Sequence, residues 1–119
     1  MSLRQSLLLW SLLVLAALIG VSVWATGLIS ITPVIQDLID HPGAGNNPWF
    51  VATLFDAYFG FLWFWLWVAY RERSSLARIA WLPLILLLGN IGMASYMLRV
   101  LWTLPAHASM RDVLLRPGT

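Results

Sequence analysis

Between Arg4 and Asp37 the chain carries no ionisable side chain at all. Within that run, residues 7–29 are apolar and long enough to cross a hydrocarbon core, which takes about 20 residues at helical rise. Two further stretches read the same way. Residues 49–70 hold a single charge, Asp56, and residues 79–104 are uncharged until Arg99. Every backbone amide inside a bilayer must be satisfied within its own segment, so each stretch is expected to be a helix. The ten-residue alternation of a membrane barrel strand is absent. Charged residues make up 10% of the chain and hydrophobic ones 61%, whereas soluble domains run nearer a quarter charged. The expected fold is all-α: one integral membrane domain over residues 1–119, with three spanning helices.

The first stretch has a basic start at Arg4 and a small-residue site around Val23-Trp24-Ala25. It is longer than a signal-peptide core, so a retained helix is expected. Arg71, Arg73 and Arg78 form a charge cluster between the second and third stretches, while the loop holding Asp37 and Asp40 has no basic residue. Positive charge stays inside, which predicts a cytoplasmic N-terminus and a cytoplasmic 71–78 loop. An odd number of spans then puts the C-terminus on the outer, periplasmic side, against the sense of Arg111 and Arg116.

Two short surface helices are expected. Thr32-Pro33 reads as a cap followed by proline at the first helical position. Over residues 33–40, Val34, Ile35, Leu38 and Ile39 share a face opposite Gln36, Asp37 and Asp40, as in an interfacial amphipathic helix. His41-Pro42-Gly43 would end it. In the tail, Ser109 and Asp112 have capping-box spacing at the start of a helix over 110–116, between Pro105 and Pro117-Gly118.

Asp56 is the most informative single residue. A carboxylate within a span costs at least roughly 2.5–3.5 kcal/mol on insertion scales, so it needs a partner or a purpose. On an antiparallel third helix Arg99 would reach similar depth, and an intramembrane Asp56–Arg99 ion pair is expected, fixing helix register or serving a proton or ion relay. The third helix is polar on two faces: Asn90, Met93 and Met97 lie on one, Gly92, Tyr96 and Arg99 on the other. With one face on the second helix, Asn90 must meet the first helix, a ligand or another subunit. Gly60, Asn90, Gly92, Met93, Tyr96 and Met97 are therefore expected at helix or partner contacts. Trp63 and Trp65 lie deeper than an interfacial belt. They suit either packing or contact with a lipid, quinone, carotenoid or chlorophyll-type ring.

Several chemistries drop out. The chain has no cysteine, and His41 and His107 fall outside the spans, so neither an axial haem ligand nor a spaced metal site is expected. No phosphate loop, nucleophile motif or carboxylate pair occurs. The basic excess is too thin for nucleic acid. No enzymatic activity is expected.

The runs DAYFGF and GNIGMASY, within TLFDAYFGFLWFWLWVAYRERSSLARIAW and LLLGNIGMASYMLRVL, resemble a family of uncharacterised small membrane proteins of bacteria and plants. The tail PAHASMRDVLLRP is also similar, whereas the GAGNN loop looks longer than is usual there. The resemblance implies that Asp56, Tyr58, Gly60, Asn90 and Tyr96 are characteristic positions, and it implies no activity. The function expected is a non-catalytic accessory or assembly subunit of a larger respiratory or photosynthetic membrane complex, in contact with membrane lipid. The alternative is a small ligand-, pigment- or ion-handling membrane protein using Asp56 and Asn90.

Overall fold

Residues 2–41 and 48–118 are described by a computed structural model of the chain; the expected Pro42-Gly43 stop and the GAGNN stretch lie outside them. Among the described residues six helices occur: α1 Leu3–Leu28, α2 Ile31–Asp40, α3 Pro48–Arg71, α4 Ser75–Leu88, α5 Asn90–Thr103 and α6 Met110–Leu114. The described residues contain no strand. α1 starts in a capping box that its sequence carries openly. The Gln5 amide donates to Ser2 Oγ at 3.1 Å, and the Ser2 amide donates to Gln5 Oε1 at 2.8 Å. α1 and α3 are long and apolar enough to cross a membrane. α2 begins at Ile31 with Ser30 as its cap, two residues earlier than the Thr32 reading. Pro33 then lies in the first turn, where a missing N–H costs nothing.

The third apolar stretch is not a span. It breaks at Gly89 into two helices of 14 residues each, about 21 Å long at 1.5 Å per residue and short of a roughly 30 Å hydrocarbon core. Gly89 takes φ 56° and ψ −126°, a conformation that residues with a Cβ avoid. A Cβ there would also meet Phe61 at 3.0 Å. Beyond the turn, α5 runs back along α4, and the closeness of the return depends on Gly92. A Cβ on Gly92 would lie 2.8 Å from the Leu84 carbonyl oxygen and 3.2 Å from the Ile85 Cα. Two spanning-length helices and a hairpin of two shorter ones thus stand where three spans were expected.

The reversal brings both ends of the chain together. α5 packs along α1 in the antiparallel sense, and the Arg4 guanidinium donates to the carbonyls of Pro105 (2.6 Å), Leu101 (3.0 Å) and Leu104 (3.1 Å). The carbonyls of Leu101 and Leu104 belong to the end of α5 and that of Pro105 follows it, a favourable place for a cation. The C-terminus therefore lies at the same end of the molecule as the N-terminus, and the expectation of opposite ends is corrected. All seven arginines gather at this end; Asp37 and Asp40 lie on α2, beyond the far end of α1.

The buried core lies at the arginine end as well. It comprises Val68 of α3, Ile85 of α4, Tyr96, Val100 and Leu101 of α5, and Val113 of α6. Tyr96 is fully buried and meets Phe64, Trp67 and Trp81 edge-on, with centroids at 6.1, 5.5 and 5.0 Å. Such pairs contribute about 0.5–1.5 kcal/mol each beyond area burial. Towards the other end, α1 and α3 expose nearly all their side chains, among them Ile19, Trp24, Phe55 and Phe59.

Gly60, expected at a helix contact, is exposed on α3, and a Cβ there would have nothing within 4 Å. Gly60→Ala should leave thermal stability in detergent micelles unchanged or raise it by up to about 1 kcal/mol, the helix-propensity gain. Gly92→Ala should lower it by about 1–3 kcal/mol through overpacking against backbone that cannot yield. Equal behaviour of the two variants would contradict the hairpin.

Candidate functional site: a latched arginine end and an open apolar cleft

Glu72 lies just past the last turn of α3, in the short connection to α4. Its Oε1 accepts from the Tyr96 hydroxyl and from Arg99 Nη1, each at 2.9 Å. The Glu72 side chain is 13% exposed and that of Arg99 50%, so the pair is a partly screened one at the rim of the core. The expected Asp56–Arg99 pair is thereby corrected. Its depth match assumed a straight third helix, but the Gly89 turn carries Arg99 back to the other end of α3. Asp56 lies 15 residues before Arg71 on that helix, about 22 Å away by helical rise.

The other arginines hold backbone carbonyls more than acids. Arg71 is buried, and donates from Nε to the Val113 carbonyl at 2.8 Å and from Nη2 to that of Asp112 at 3.3 Å. Arg73 Nε donates to the Pro117 carbonyl at 2.8 Å, and Arg116 Nε to that of Tyr70 at 2.6 Å. The Arg116 guanidinium lies over the Tyr70 ring, 5.2 Å from its centroid. Arg78 Nε donates to the Glu72 carbonyl at 2.8 Å. Indole donors add to the latch: Trp67 Nε1 reaches the Leu114 carbonyl at 2.9 Å, and Trp65 Nε1 that of Arg78 at 3.0 Å. The expected charge cluster of Arg71, Arg73 and Arg78 is thus largely committed to the tail and the connection. Of the two deep indoles, Trp65 is part of the packing and Trp63 is 75% exposed.

The α6 capping box forms in one direction through the Ser109 amide, which donates to Asp112 Oδ2 at 2.8 Å, joined by the Ser109 hydroxyl at 3.1 Å. These two donors hold the Asp112 carboxyl below its ordinary 3.8. A depressed carboxyl contributes stability that is present above its unfolded value and is lost as the pH falls through the folded one. The α6 cap therefore weakens only in acid below about pH 4.

Between α1, α5 and Phe64 of α3 lies an open cleft of about 480 Å³. Asn90, Met93 and Met97 face it from α5, and Trp10 and Ser11 from α1. Tyr96 and Gly92 face the other way, into α3 and α4. Of the expected contact residues, then, three line the cleft, two are committed inside the chain and Gly60 is free. Asp56 does not line the cleft; it is exposed on α3, with no hydrogen bond or ion pair to the described residues. Among those residues no group of three metal-ligating side chains occurs. Sequence reasoning passed over Glu72 and Arg4. The outward sense of Arg111 and Arg116 in a three-span reading was the available signal for both, since it opposes the charge rule.

Glu72→Gln keeps the shape and removes the charge that Arg99 and Tyr96 address. It should cost about 1–2 kcal/mol in thermal unfolding, between the values for a rim ion pair and a charged hydrogen bond. Combined with Tyr96→Phe the losses should be non-additive, because both act on one carboxylate.

Residues 2–118 match the family model described as a protein of unknown function, DUF1475. No curated protein and no solved structure matches the chain. Since the match leaves out only the first and last residues, the chain belongs to the DUF1475 family.

Proposed function

We propose that this DUF1475 protein is an integral membrane, non-catalytic accessory or assembly subunit of a larger membrane complex, of respiratory or photosynthetic type. The observation that carries the reading is Asp56. Its carboxylate projects from α3 about 12 Å beyond Pro48 by helical rise, among the exposed Phe55, Phe59 and Trp63. No group of the described chain answers it. A lone carboxylate in lipid is costly, and a neighbouring helix with a donor or a cation at that depth removes the cost. The far halves of α1 and α3 support the same reading, because among the described residues little covers their apolar surface. The aromatic density of α3 favours a bioenergetic setting, where lipid, quinone, carotenoid or chlorophyll-type rings are neighbours.

The clustering of seven arginines supports an orientation with both termini and the 71–78 connection in the cytoplasm, and α2 on the outer surface. α2 holds Asp37 against His41, Oδ1 to Nδ1 at 3.0 Å, and Gln36 against Asp40 at 3.0 Å. That leaves Ile31, Ile35 and Ile39 exposed and suited to the headgroup boundary. The ligand- or ion-handling alternative through Asp56 and Asn90 together loses support, because Asp56 does not line the Asn90 cleft.

Gentle detergent extraction followed by native mass spectrometry tests the proposal. The chain is expected in a larger assembly, and Asp56→Leu should reduce that fraction at least about 10-fold, as for truncation of a buried charge pair, with helix content unchanged. A clean wild-type monomer without protein partners would overturn it.

A further inference from the structure

We propose that the cleft between α1 and α5 binds a lipid-soluble ring compound bearing carbonyl oxygens, the quinone class. The inference rests on the membrane placement given above and is independent of any protein partner. The cleft's volume, about 480 Å³, falls within the range of small-molecule sites, roughly 300–1,000 Å³. Its walls are apolar apart from two side chains, Ser11 and Asn90.

Ser11 points to an occupant. Ser6, Thr53 and Ser95 satisfy their hydroxyls on the carbonyl four residues back. Ser11 is 4% exposed yet makes no hydrogen bond to the described residues, and what surface it keeps belongs to the cleft. A hydroxyl left so in an apolar surrounding forfeits a bond. Asn90, the first residue of α5, brings to the same cleft an amide with no hydrogen bond to the described residues. It also opens α5, whose first N–H groups have no side-chain cap and no partners within the helix. The cleft thus carries two side chains able to donate, and a molecule with two carbonyl acceptors answers both.

The walls and the depth narrow the class. Trp10 and Phe64 present aromatic surface, and Met93 and Met97 present polarisable thioethers, both suited to a flat ring. Ser11 lies seven residues past Arg4, about 10 Å deeper by helical rise. Phospholipid ester carbonyls stay at the interface where Arg4 sits, so an acyl chain would fill the cleft and leave Ser11 unanswered. A ring compound dissolved in the hydrocarbon brings its carbonyls to that depth.

The test titrates the full chain in detergent micelles with a short-tailed benzoquinone and follows tryptophan quenching. Saturable quenching is expected. Ser11→Ala and Asn90→Leu should each weaken it about 3- to 10-fold, the worth of one hydrogen bond. Ala17→Phe, which fills the cleft from an exposed position of α1, should abolish saturation without touching either donor. Quenching that rises linearly and equally in all four proteins reports partition into the micelle and overturns the proposal. So does saturable binding that survives Ala17→Phe, or stoichiometric phospholipid that the benzoquinone does not displace.

Discussion

At Gly89 the backbone takes a positive φ of 56°, and with the chain reversed there two helices of 14 residues lie side by side where one helix could have crossed a membrane. The reversal returns Arg99 to Glu72, brings the end of α5 beside Arg4, and delivers the tail to Arg71, Arg73 and Trp67. A straight helix from Ile79 to Leu104 would break every one of these contacts. Gly92 completes the turn by letting α5 lie against the Leu84 carbonyl, a spacing only a residue without Cβ permits. The polar latch, the buried core and the shared position of the termini all follow from two glycines three residues apart.

The hairpin also divides the molecule into unlike halves. At the arginine end, parts of α1 and α3 pack with α4, α5 and α6 around Tyr96, and nearly every guanidinium is held by a carbonyl or by Glu72. Beyond the turn α1 and α3 continue, and their described side chains there are largely exposed. Half-depth backbone is tolerated in a membrane where protein covers it or where it lines a cavity. Here Phe61 sits over Gly89 on one side and the cleft opens beside Asn90 on the other. The same geometry that stabilises one end leaves the other apolar and incomplete, and it leaves Asp56 there without an answering charge.

Much of this was legible in the residues. Where charges are missing located α1 and α3, and Ser109 with Asp112 located α6. The helical period separated Asn90, Met93 and Met97 from Gly92 and Tyr96, the same separation that exists between the cleft and the core. The turn itself was hidden because no charged residue interrupts the run between Arg78 and Arg99, so Gly89-Asn90 passed as a polar pair within one span. Depth matching then placed Arg99 beside Asp56, an inference sound for a straight helix and void for a folded one. Arg111 and Arg116, left on the wrong side by three spans, were the residues that objected. Two helices of spanning length and a hairpin put them with the other five.

The shared side of the two termini is the claim on which the rest stands, and accessibility labelling measures it. The chain has no cysteine, so Ser6→Cys, Gln36→Cys and Ala106→Cys, all at exposed positions, each introduce a single thiol. In sealed vesicles of known orientation, a membrane-impermeant maleimide should label positions 6 and 106 from one side and position 36 from the other. Labelling of positions 6 and 106 from opposite sides would contradict the Gly89 hairpin and everything built on it.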